Sequence, residues 1–110
     1  MPWTTLCQLD ELTENEGKFV EIDGFKLAVF LRDGQPYVLD DTCPHAGASL
    51  SGGHVDATGC AVCPWHAWAF HLANGQLRDT PGVTIDTYKV RVLQPSGDRP
   101  KVVQADLPIF

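Results

Sequence analysis

Cys43-Pro-His-Ala-Gly-Ala-Ser-Leu50 and Cys63-Pro-Trp-His-Ala-Trp-Ala-Phe70 decide how this chain is read. Each segment pairs one cysteine with one histidine across a proline: Cys43 with His45, and Cys63 with His66. Soft thiolate and neutral imidazole donors, two from each loop, suit a tetrahedral iron or zinc centre. Their order says more than their number. A common zinc finger groups both cysteines in one segment and both histidines in another, whereas here each loop brings one sulfur and one nitrogen. That arrangement suits two metal ions side by side, with the cysteines on one iron and the histidines on the other.

Two other uses of these residues stay open at this point. The same four donors could hold a single zinc ion, and Cys60-Ala-Val-Cys63 is a Cys-x-x-Cys in its own right. The four cysteines of the chain could also form disulfides. From Met1-Pro2-Trp3-Thr4 onward, however, there is no basic, apolar or small-residue signal segment, so a reducing, cytoplasmic setting is expected. Cys60 lies in an apolar stretch and Cys7 follows Leu6, and both are expected to be buried free thiols.

Outward from the two loops, turn signals mark strands. Asp23-Gly24 separates Lys18–Ile22 from Phe25–Leu31, and Asp33-Gly34 separates that run from Pro36–Leu39. Such dipeptides favour the positive backbone angles of tight hairpins, so three strands of a meander are expected. Both faces of Phe25–Leu31 are apolar, which predicts a central strand. Thr84–Leu93 reads as one long half-buried strand, with Tyr88, Val90 and Val92 on one face and Lys89 and Arg91 on the other. Pro95-Ser-Gly-Asp98 then turns the chain into a last strand near Lys101–Gln104, and only Gln8–Thr13 suggests a short helix. The organisation predicted is a single all-β domain. An antiparallel framework of residues 1–40 and 83–110 carries the donor-bearing segment, 41–82, as an insertion.

Composition narrows the function. A chain of 110 residues makes one small domain, too short for a second catalytic domain. Hydrophobic residues make up 44%, yet the longest aliphatic or aromatic run is Leu27–Leu31, far from the roughly 20 apolar residues of a membrane span. Eight Lys and Arg stand against 14 Asp and Glu, a net charge of −6. Phosphate binding needs clustered positive charge, so nucleic acid is excluded as a partner. An acidic surface suits docking onto a basic patch of a redox partner, and it also serves plain solubility.

The two loops, followed by Asn74-Gly75, resemble those of the Rieske iron-sulfur proteins, and of their soluble ferredoxins in particular. The resemblance implies the Rieske fold, antiparallel β-sheets with a small inserted cluster-binding lobe, and a [2Fe-2S] cluster held by Cys43, His45, Cys63 and His66. It implies a one-electron carrier, not itself an enzyme, that passes electrons from a reductase to a terminal oxygenase or similar enzyme. The alternatives are the small subunit of an NAD(P)H nitrite reductase, which has the same fold, and a zinc-stabilised interaction module. Thr80-Pro81-Gly82 resembles the proline-containing loop that covers the cluster in this family, and Trp65, Trp68 and Phe70 are expected to shield it from water. His54 and His71 match no ligand position and are expected at the surface.

Two cysteine and two histidine donors leave an oxidised two-iron, two-sulfide core formally neutral, where four thiolates would make it dianionic. Potentials of roughly −150 to +300 mV follow. Respiratory members of the family add a loop disulfide and serine and tyrosine hydroxyls directed at the sulfurs. At the matching positions this chain has Ala48 and Trp65, and Trp68 and Phe70. With fewer donors to stabilise added charge, the potential is expected in the lower part of that range. Pro44 and Pro64 fix backbone angles in the loops, and Gly47, Gly52, Gly53 and Gly59 are expected to permit tight bends.

Overall fold

The computed structural model describes residues 3–43, 48–65, 67–80 and 82–108. The chain forms β1 (Trp3–Gln8), β2 (Gly17–Ile22), β3 (Phe25–Arg32), β4 (Gln35–Asp40), β5 (His54–Val55), β6 (Cys60–Val62), β7 (Ala69–His71), β8 (Thr87–Tyr88), β9 (Val90–Leu93) and β10 (Val102–Asp106). They build three antiparallel sheets, ordered β1-β10-β9, β2-β3-β4-β8 and β5-β6-β7.

The meander forms where the turn dipeptides place it. Ile22 pairs with Phe25 and Arg32 with Gln35, so each connection is a two-residue turn. Asp23 and Gly24 have φ of 50° and 86°, and Asp33 and Gly34 of 53° and 75°. Positive φ at both central residues is the tight hairpin geometry whose twist matches that of the flanking strands.

β3 is the middle of the molecule in the energetic sense. Leu27, Ala28, Val29 and Phe30 are all fully buried, and because strand residues alternate between faces, they feed two different cores. Leu27 and Val29 pack with Cys7, Leu12, Val38, Val103, Ala105 and Leu107 against the β1-β10-β9 sheet. Ala28 and Phe30 pack with Leu39, Cys43, Leu50, Ala61, Cys63 and Phe70, so the second core reaches into the segment of residues 41–82. Cys43 and Cys63 therefore pack against one face of the central strand.

Two expectations change in the structure. Thr84–Leu93 is not one strand: Thr87–Tyr88 pairs with β4, whereas Val90–Leu93 pairs with β10 in another sheet. The switch falls at Lys89, whose carbonyl accepts the Asp106 N–H at 2.9 Å, so one continuous alternation serves two sheets in turn. The short helix at Gln8–Thr13 is only a single 3-10 turn, Leu9–Glu11, in which Glu11 Oε2 accepts the Gln8 N–H at 2.6 Å.

Candidate metal centre

Cys43 and Cys63 end up in equivalent loops. Cys43 N–H donates to the Ala48 carbonyl at 2.9 Å, and Cys63 N–H donates to the Trp68 carbonyl at 2.7 Å, so each loop is closed five residues beyond its cysteine. A bridge between Thr42 and Ser49 seals the base of the first loop, and β6 and β7 flank the second. The fourth residue after the cysteine is Gly47 in the first loop and Ala67 in the second. Ala67 has φ of 55°, a left-handed conformation that costs an alanine about 1–2 kcal/mol.

Both cysteines are essentially inaccessible, at 0% and 1% exposure, and all four cysteines are free. The thiol of Cys63 is raised above its ordinary pKa by burial, and the adjacent Cys43 sulfur adds to the shift. Two buried sulfurs in mutual contact are costly as bare thiolates, because low dielectric penalises the charged form. A cation between them removes that penalty and takes the place of the protons. The donor chemistry of the pair thus fits a thiolate-bound metal.

His45 and His66, as well as Pro44, Gly47 and Pro81, lie outside the described residues. Among the described residues no group of three or more His, Cys, Asp or Glu side chains is placed to hold a metal ion. Cys7 is buried in the other core, away from the loops, and burial pushes its thiol up to about 11, with nearby Glu11 adding to the effect. It is an inert structural thiol.

The surroundings of the loops are partly as expected. Phe70 is fully buried and Trp68 packs against the same core, so both shield the site. Trp65 does not: it is 59% exposed beside the second loop, because its position follows the turn outward instead of the strand inward. A groove of about 270 Å³ lined by Ala67, Trp68, Leu77, Asp79 and Thr80 runs where the second loop meets the segment leading to Gly82, which has φ of 101°. His54 is exposed. His71 is not a simple surface residue: paired opposite Cys60 across β6 and β7, it is half-buried with Nδ1 3.4 Å from the Cys60 sulfur.

Two polar anchors were not evident from the sequence. Asp56, at the turn between β5 and β6, accepts from the Thr58 hydroxyl at 2.6 Å, the Thr58 and Cys60 amides, and Arg78 Nη1 at 2.8 Å. These bonds, the Thr58 hydroxyl first, hold its carboxyl at a pKa of about 2. The bond to Arg78 ties the 77–80 segment to the β5–β6 turn. The second anchor, Asp41, is buried at the root of the first loop.

Twin loops, each offering one buried sulfur, on an antiparallel framework define a small two-loop metalloprotein. The Rieske [2Fe-2S] domain model matches residues 2–89, and the chain belongs to that family. The expectation of a Rieske-type two-iron, two-sulfide cluster agrees with this membership, and a zinc-only module does not. The chain is 32% identical over 88 residues to the 3-phenylpropionate/cinnamic acid dioxygenase ferredoxin subunit of Photorhabdus laumondii, covering 79% of this chain and 83% of that one. It is also 32% identical over 80 residues to the cholesterol 7-desaturase nvd of Hemicentrotus pulcherrimus, but covers 72% of this chain and only 17% of that enzyme. Among solved structures, a Sphingomonas yanoikuyae ferredoxin superposes with a TM-score of 0.78 at 30% identity, covering 96% and 99% of the two chains. A Mycobacterium tuberculosis protein described as an NADH-dependent nitrite reductase small subunit superposes with a TM-score of 0.81 at 30% identity, covering 97% and 96%.

Proposed function

We propose that this protein is a one-electron carrier, not itself an enzyme, that works in the cytoplasm between a reductase and a terminal oxygenase or similar oxidoreductase. Cys43 and Cys63 would hold one iron, and His45 and His66 the other. A bound Rieske cluster supplies a one-electron couple at a potential above that of all-cysteine clusters. The protein's part is to position and enclose it. The paired loop closures fix the two sulfurs together, Phe70 and Trp68 exclude water behind them, and the segment at residues 77–80 flanks the second loop. Residues 41–82 would act as an inserted lobe and residues 1–40 and 83–110 as its base.

The observation that carries this reading is the matched pair of closed loops with buried sulfurs in contact. Similarity to a dioxygenase ferredoxin subunit along most of both chains supports the choice of partner class. No described helix is long and apolar enough to cross a membrane. Purified protein should be red-brown, with iron and sulfide in equal amounts and a rhombic electron paramagnetic resonance signal on reduction. Colourless protein containing zinc would refute the reading.

The superposition on the nitrite reductase small subunit favours a second role, as a cluster-bearing subunit of such a reductase. A carrier exchanges electrons in transient encounters, whereas a subunit stays bound. Co-purification in fixed stoichiometry with a large reductase subunit would select the second role.

A further inference from the structure

Asp41 is the one acidic residue among the described residues that is buried, at 4% exposure, and it stands two positions before Cys43. Its Oδ2 accepts the Ser49 hydroxyl at 2.6 Å and its Oδ1 accepts the Ser51 N–H at 2.8 Å. Its main-chain carbonyl accepts the Leu50 N–H at 2.7 Å, and its own N–H donates to the Lys26 carbonyl at 2.9 Å. One residue thereby ties both ends of the first donor loop, 41 and 49–51, to β3. Among the described residues its carboxylate makes no ion pair.

A buried carboxylate without a cation is costly, and hydrogen bonds offset only part of that cost. The loop geometry does not need the charge. An asparagine could accept the Ser51 N–H through its oxygen and donate to the Ser49 oxygen through its nitrogen, while Ser49 turns its proton to Ser51 Oγ, 2.9 Å away. What asparagine cannot supply is a negative charge, and Asp41 stands two positions before Cys43, which packs in one core with Cys63 of the opposite loop.

Resting on the cluster assignment above, we propose that Asp41 is a positioning residue that also sets the reduction potential. Its carboxylate holds the first loop in place, and its fixed charge opposes the arrival of an electron between the two loops. In a site of low effective dielectric, one nearby unit charge outweighs the differences among neutral donors.

The test is Asp41→Asn in the cluster-loaded protein, titrated against a redox dye. The expected result is an unchanged cluster spectrum with a reduction equilibrium constant raised by about tenfold, equivalent to about 59 mV for one electron. Asp41→Glu, which keeps the charge, should stay near the wild type. A loaded Asp41→Asn protein with wild-type potential would overturn the proposal. So would loss of the cluster in both Asp41→Asn and Asp41→Ser while Asp41→Glu still loads, because the charge would then serve assembly. Wild-type protein without a Rieske spectrum would instead refute the cluster assignment, separately from these comparisons. A purely structural role would lower the melting temperature of Asp41→Asn without moving the potential.

Discussion

Gly53→Ala should detach the two donor loops from each other. A Cβ placed on Gly53 would lie 1.8 Å from the Val62 carbonyl oxygen, 2.9 Å from its carbon and 3.3 Å from the Leu50 carbonyl oxygen. Close C···O contacts stop near 3.3 Å, so the two backbones must separate by about 1.5 Å. All three obstacles are main-chain atoms, and no rotamer can relieve them. Val62 cannot retreat freely either, since it pairs with His54 on one side and Ala69 on the other and directly precedes Cys63. The φ of Gly53 is −93°, open to any residue, so the effect is purely steric. Overpacking of this kind costs about 1–3 kcal/mol, and the rigid surroundings favour the upper end. At about 4 °C per kcal/mol for a domain of this size, the melting temperature should fall by roughly 10 °C. A movement beyond about 0.5 Å also spoils a donor constellation, so cluster content should drop sharply. Gly52→Ala is the control. There the nearest atom is Pro64 Cγ at 3.7 Å, an ordinary contact, and both properties should be preserved. Thermal unfolding by circular dichroism and the visible cluster absorption would be read on both variants. Gly53→Ala with wild-type cluster content and a melting temperature within a degree or two of the parent would refute the reasoning.

Other outcomes follow from the same contacts. Cys43→Ser or Cys63→Ser should abolish the cluster absorption, whereas Cys7→Ser, in the opposite core, should keep it; iron and sulfide analysis checks both. The Asp56 carboxyl is depressed from 3.8 to about 2, so its stabilisation is fully present above about pH 4 and is lost as pH falls toward 2. Screened at a partly open site, it is worth on the order of 1 kcal/mol. The urea midpoint advantage of wild type over Asp56→Asn should therefore be constant from pH 7 to pH 5 and shrink by pH 3. Ala67→Gly relieves a left-handed alanine and should be neutral or stabilising by up to about 1 kcal/mol, with Ala67→Val clearly destabilising in the same urea series.

Features under local chemical control were legible along the chain. Asp23-Gly24 and Asp33-Gly34 set the hairpins because positive φ is decided by the turn residues themselves, and the all-apolar Leu27–Leu31 marked the central strand because alternation is a local property. The twin Cys/His segments stand out for the same reason as candidate donor loops; the structure packs Cys43 and Cys63 in one core, and His45 and His66 lie outside the described residues. Other features depend on contacts between residues remote in sequence. The alternation of Thr84–Leu93 could not reveal that β8 and β9 belong to different sheets, since both partners are remote in sequence. Trp65 faces outward while Phe70 is buried, although both are aromatic and near the same cysteine, because only one sits on a strand over the core. His71 meets Cys60 through the β6–β7 register. Gly53 is needed not for an unusual backbone angle but for the close approach of Val62. Asp41 reads in the sequence as one more acidic residue, and only the folding of Ser49 and Ser51 back over it turns it into a buried charge.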